Sequence, residues 1–221
     1  MLALYKPAGL HNTCLAALAT MVSLALVACS TSTPVAKKAN VTKSAEVAGP
    51  QLSETGFTLT DNVQIDADTR AQYDNAVRQL EQKQYEQGIA SLLKVTQRVP
   101  TAAAPYIDLG IAFGRTGDLD KAEASFKRAL EINPRHPIAY NELGMAYRRK
   151  GQFAEARASY EKAIALVPDF HFARLNLAIL CDLYLADTAC ALANYEVYQR
   201  AMPDDKQAAM WVADLRTRVS H

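Results

Sequence analysis

Cysteine and histidine are the side chains here most able to do chemistry, and the chain has four of each: Cys14, Cys29, Cys181 and Cys190, with His11, His136, His171 and His221. To hold a metal they would need to cluster with one another, or with Asp and Glu, at the short spacings of a ligand set. None of the histidines has such company. Neither a G-x-S-x-G elbow nor a glycine-rich phosphate loop occurs. Carboxylate pairs such as Asp118 and Asp120 fall in turns and first helical turns, where negative charge complements the helix dipole and solvates the cap. No pattern points to catalysis, a bound metal or an organic cofactor, so a binding function is expected. What the cysteines do depends on the segments that carry them.

Cys14 opens the run "CLAALATMVSLALVA", fifteen residues to Ala28 without a charge. A bilayer-spanning helix needs about 20 apolar residues, and a run of 10–14 fits a core helix or the apolar part of a signal peptide. Lys6 is the only formal charge ahead of it, and small residues follow it. Together these describe a secretory signal peptide over residues 1–28. The competing reading, an uncleaved anchor or buried helix, leaves a short span running straight into polar sequence. Leu26-Val27-Ala28-Cys29 resembles the lipobox of bacterial lipoproteins. The resemblance implies cleavage before Cys29, a diacylglycerol on its thiol, and, with Ser30 rather than aspartate next, transfer to the outer membrane of a Gram-negative envelope. The protein would then be held at the membrane by the lipid alone, facing the periplasm.

Loss of Lys6 leaves 23 basic against 23 acidic residues, so a nucleic-acid footprint is not expected. From Cys29 to residue 68 the chain is rich in Ser, Thr, Ala, Lys and Val and has no sustained apolar face. Such sequence buries too little to offset chain entropy. A flexible tether of ~30 residues spans about 30 Å. Within it Gly56–Ile65 alternates like a strand, through Phe57, Leu59, Val63 and Ile65; it is either an extended segment lying on the folded part or disordered.

Beyond the tether the chain keeps a period. Pro100, Pro134 and Pro168 are 34 residues apart, and Pro203 follows after 35. In the unit 137–170, Tyr140, Leu143, Gly144 and Tyr147 share one helix, Ala156, Tyr160 and Ala163 a second, and Pro168 ends it. The unit 103–136 repeats this with Tyr106, Leu109, Gly110, Phe113, Ala122, Phe126, Ala129 and Pro134. Both units resemble the tetratricopeptide repeat at every signature position. The resemblance implies an all-α, right-handed solenoid of about four helix-turn-helix repeats: 69–102, 103–136, 137–170 and 171–203. Gly110 and Gly144, with Ala122 and Ala156, are small where the helices approach most closely. Gly117 and Gly151 permit the tight turns. The flanking units depart from the pattern, with Gln72, Asn75 and Gly88 in the first and one inserted residue before Ala191 in the fourth; end units face solvent or a cap. Residues 204–221 read as a capping helix burying Trp211, Leu215 and Val219. A membrane-bound amphipathic helix is the other reading of that segment.

With Cys14 removed and Cys29 lipidated, Cys181 and Cys190 remain as an even pair in an oxidising compartment. They flank the turn of the fourth repeat and would roughly face each other. Either they form a disulfide or they are two buried thiols.

Function must then lie in a surface. The resemblance implies that first helices line a concave groove, and two of its groove positions fall on Tyr73 and Val77, Ile107 and Ile111, Asn141 and Met145, and Leu175 and Ile179. Arg115, Arg148 and Arg149 add positive charge at the edge. The lysine and asparagine set of carboxylate-clamp members is missing. An apolar floor with an arginine rim suits an amphipathic helix or extended peptide carrying some acidic residues. Residues 56–65 or a second copy of the chain could instead fill it. The expectation is an envelope adaptor for a protein or peptide partner, as in pilus, secretion or TonB-type assemblies. The alternative is a regulatory subunit of an envelope enzyme such as a peptidoglycan hydrolase.

Overall fold

The computed structural model describes residues 51–53, 56–58 and 63–219. The signal segment, Cys29 and the tether to residue 50 lie outside the described residues. Helices dominate: α1 (Ala67–Glu81), α2 (Tyr85–Arg98), α3 (Ala103–Thr116), α4 (Leu119–Ile132), α5 (Pro137–Arg149), α6 (Phe153–Leu166), α7 (His171–Leu183), α8 (Thr188–Ala201) and α9 (Lys206–Val219). None of the described helices is long and apolar enough to cross a membrane.

Each helix starts and stops for a local reason. Asp66 caps α1, accepting the Thr69 amide at 2.8 Å and its hydroxyl at 2.7 Å. Asp118 caps α4 through the Lys121 amide, and Asp187 caps α8 through the Cys190 amide. The Asp118 carboxylate is therefore a cap, as its sequence position suggested. His136 does the same for α5: its Nδ1 accepts the Ala139 amide at 3.2 Å, and the ring is buried. The turns inside the four hairpins share one left-handed residue at the same place in the repeat: Lys83 (φ 62°), Gly117 (φ 91°), Gly151 (φ 76°) and Ala186 (φ 51°). Glycine adopts this conformation without penalty. Lysine and alanine are held there by the hairpins they close, and the inserted residue of the fourth unit moves the turn on by one.

The hairpins α1–α2, α3–α4, α5–α6 and α7–α8 stack in order, each second helix packing on the next first helix. A column of large side chains runs through the stack at equivalent positions: Leu92, Phe126, Tyr160 and Tyr195, none more than 2% exposed. Opposite this column the first helix must be bare. A Cβ on Gly110 would lie 2.4 Å from the Phe126 ring, and one on Gly144 2.6 Å from the Tyr160 ring. The first repeat reaches the same end differently. Ala76 takes the glycine's place and Gly88 the alanine's, because Leu80 presses within 2.3 Å of where a Gly88 Cβ would stand.

The two ends close as terminal repeats should. Gln72 and Asn75 face outward beside Ser91, Lys94, Gln97 and Arg98, giving the first hairpin a polar end surface. At the other end α9 packs on α8, and the Trp211 ring lies 5.1 Å from that of Tyr195. Its buried stripe is Ala208, Val212 and Leu215, not the expected Trp211, Leu215 and Val219. Steps of four residues drift round a 3.6-residue turn, and Val219 is left 55% exposed while Trp211 is half-buried. α9 nonetheless acts as a cap.

Within the tether, β1 (Gln51–Ser53) and β2 (Gly56–Thr58) form a short antiparallel hairpin that pairs Leu52 with Phe57. The strand-like start of Gly56–Ile65 is thus extended. Among the described residues no backbone contact joins it to a helix.

Cys181 and Cys190 are joined in a disulfide across the α7–α8 turn, their Cα atoms 5.9 Å apart. They also form, with Asp187, the one cluster of metal-capable side chains among the described residues, but both sulfurs are used in the bond and Asp187 in the cap. Closing so short a loop is worth roughly 2–3 kcal/mol on the chain-entropy account. Replacing both cysteines by serine is expected to lower stability by that amount and to abolish the effect of reductant on the melting temperature, read by circular dichroism.

Candidate functional site: a groove lined by the first helices

The first helices form one wall: α1 touches α3, α3 touches α5, and α5 touches α7. Hydrogen bonds tie the wall together at a fixed register. Tyr73 of α1 donates its hydroxyl to Asp108 of α3 at 2.5 Å, and Asn176 of α7 donates to Asn141 of α5 at 2.9 Å. At the edge, Arg149 donates to the Gly114 carbonyl at the end of α3.

The groove residues read from the sequence all lie on this wall, but they are not equally accessible. Val77, Ile111, Met145, Leu175 and Ile179 are half-buried and still reach the surface, as does Tyr73. Ile107 and Asn141 are 5% and 4% exposed, so they belong to the joints between helices rather than to the contact surface. Ile111, Met145, Leu175 and Ile179 pack at the border of the central core. Such side chains are apolar yet held in one place by their neighbours, as a preformed binding floor requires.

The rim is positively charged and its cations are not paired. Several cations of the solenoid sit beside acids: Lys150 reaches Asp120 and Glu123 of the preceding hairpin at 2.7 and 2.6 Å, and Arg157 reaches Asp187 at 3.1 Å. No such partner stands beside Arg115, Arg148 or Arg149 among the described residues. Arg148 instead lies over the Tyr184 ring, 5.9 Å from its centre, and Tyr184 leans on Phe153. Its Nε is buried without a hydrogen-bond partner. Leu183 and Tyr184 next to it are 69% and 46% exposed. A guanidinium with no acid beside it, bordered by an exposed leucine and tyrosine, is the composition of an interface hot spot.

Two acids on the wall escaped the sequence reading. Asp108 and Glu142 occupy the same place in successive repeats, one residue after Ile107 and Asn141. Burial pushes the Asp108 carboxyl up to about 6, against the lowering effect of the Tyr73 hydroxyl. Burial likewise pushes Glu142 up to about 7, opposed by the Asn141 amide and the charge of Arg115. The signal was present, since Asp74, Asp108, Glu142 and Asn176 recur at 34 residues. His171, by contrast, has its imidazole pKa lowered by burial between Phe172 and Tyr198.

Comparison with known proteins agrees with this architecture. Residues 107–169 match the tetratricopeptide repeat family. No curated protein matches the chain. Among solved structures, the chain resembles MamA from Desulfovibrio magneticus RS-1 (17% identity, 71% of this chain and 88% of that one, TM-score 0.63). It also resembles TTC0263, a thermophilic tetratricopeptide repeat protein of Thermus thermophilus (26% identity, 68% and 82%, TM-score 0.58). A third is pilF of Pseudomonas aeruginosa (21% identity, 69% of each chain, TM-score 0.62). With four stacked hairpins among the described residues, two units that fill the signature and solved structures of the same architecture, residues 107–169 match tetratricopeptide repeats and the described helices have the fold of a tetratricopeptide repeat solenoid.

Proposed function

We propose that this protein is a non-catalytic adaptor of a Gram-negative envelope, held at the periplasmic side of the outer membrane by a lipid on Cys29. It presents the groove of its first helices to a protein or peptide partner during assembly of an envelope complex. The repeat architecture supports the coarser part, since such repeats serve as protein-interaction scaffolds. One observation carries the rest of the groove reading: an apolar floor, Val77, Ile111, Met145 and Ile179, stays open beside three arginines that form no ion pair among the described residues. A partner segment with an apolar stripe and acidic residues at one edge complements both.

Two experiments test the proposal. Growth with a radiolabelled fatty acid is expected to label the protein, and Cys29→Ser to abolish labelling; a wild type without label defeats the anchor. Purification from solubilised membranes is expected to bring down one envelope protein in stoichiometric amount. Ile111→Glu combined with Met145→Glu is expected to reduce its recovery at least tenfold with an unchanged circular dichroism spectrum. Recovery unaffected by that pair would remove the groove from the account.

A further inference from the structure

The joints of the groove wall follow one rule, and the middle joint breaks it. At the α1–α3 joint Tyr73 meets Asp108, and at the α5–α7 joint Asn141 meets Asn176, each a donor facing an acceptor. The same register at the α3–α5 joint sets Ile107 against Glu142. Ile107 offers hydrocarbon where the other repeats offer a hydrogen-bonding group. Glu142 receives only the amide of its own neighbour Asn141, 3.1 Å to one oxygen. Its second oxygen accepts nothing among the described residues. Glu142 itself is half-buried in the wall.

A carboxylate so placed is costly unless something completes its shell. The charged and titratable groups around it do not. Arg115 of α3 acts on it only through space, and the Tyr160 hydroxyl from α6 feels its charge without a hydrogen bond. On α7 the polar group at this joint is Asn176, which is committed to Asn141. On the same wall lie the floor residues Met145, about one helical turn along α5, and Ile111 on α3, both half-buried. A long aliphatic stem ending in a cation suits such a place, because the stem covers the floor and the head reaches the carboxylate. Burial has already raised this carboxyl to about 7, so a cation would also restore its charge.

We propose that Glu142 receives a lysine or arginine side chain of the segment bound in the groove. The proposal rests on the adaptor reading above and sharpens it. The bound segment carries one cation at mid-groove and its acidic residues toward Arg148 and Arg149. That polarity fixes the direction in which it lies.

The test is selection of random twelve-residue peptides displayed on phage, against the full-length protein in detergent. Peptides enriched on the wild type are expected to share a lysine or arginine at one fixed position among apolar ones. They are expected not to bind the Ile111→Glu, Met145→Glu variant. Glu142→Gln should weaken the consensus peptide at least tenfold, and norleucine at its cationic position should do the same on the wild type. The two changes together should cost little more than either alone. The norleucine peptide needs no protein variant, so a folding defect cannot imitate the result. Groove-dependent peptides without a fixed cation, or binding Glu142→Gln equally well, overturn the role of Glu142 and leave the adaptor reading standing. Failure to obtain any groove-dependent peptide overturns both.

Discussion

Tyr160→Ala is expected to lower stability by about 3–5 kcal/mol, the usual cost of truncating a buried aromatic. The ring is fully buried in the central repeat, and the backbone at Gly144 is bare to admit it. In a solenoid each repeat rests on its neighbours, so loss at the centre uncouples both ends. Tyr160→Phe provides the contrast. The hydroxyl is buried without a hydrogen-bond partner, so removing it is expected to be neutral or slightly stabilising. Urea unfolding followed by helical circular dichroism reads both. A loss below about 1 kcal/mol for alanine, or a large loss for phenylalanine, would show that this column does not hold the stack.

The second large effect is on pH dependence. The Glu142 carboxyl titrates at about 7 in the folded protein against an ordinary value of 4.5, and Asp108 at about 6 against 3.8. Between each pair of values the folded state holds a proton that the unfolded chain has released. The contribution of each group to stability is therefore full below its ordinary pKa and falls as pH rises through its folded one. For Glu142 the shift corresponds to at most about 3 kcal/mol. Glu142→Gln cannot ionise. It is expected to match the wild type near pH 4.5, to exceed it by about 2–3 kcal/mol at pH 8, and to have a flatter urea midpoint between them. Parallel pH profiles for the two proteins would mean that the carboxyl is not desolvated.

Much of this was legible in the sequence because the repeat imposes it. Pro100, Pro134 and Pro168 at 34-residue steps, with Gly110 facing Phe126 and Gly144 facing Tyr160, set the helix pairs. The same register brought Cys181 opposite Cys190. Burial within the wall was harder to read. Position in the repeat says that Ile107 and Ile111 share a face, but only the closeness of α1 to α3 and of α3 to α5 decides that Ile107 is sealed and Ile111 is not. The acids were missed for a related reason. A carboxylate one residue from an apolar groove position looks solvated until neighbouring helices enclose it. Gly88 looked like a defect, and is instead the space into which Leu80 packs. Val219 was assigned to the buried stripe of α9 by four-residue steps that run past the edge of α8.

Occupancy of the groove of the first helices by a partner is read by in-cell photo-crosslinking, with a photoreactive residue at Ile111 and, separately, at Met145. Discrete adducts to one envelope protein are expected from both positions, and none from Met210 on the capping helix, which is exposed. Adducts only to residues 56–65 or to a second copy of the chain, or no adduct at either position, would contradict it.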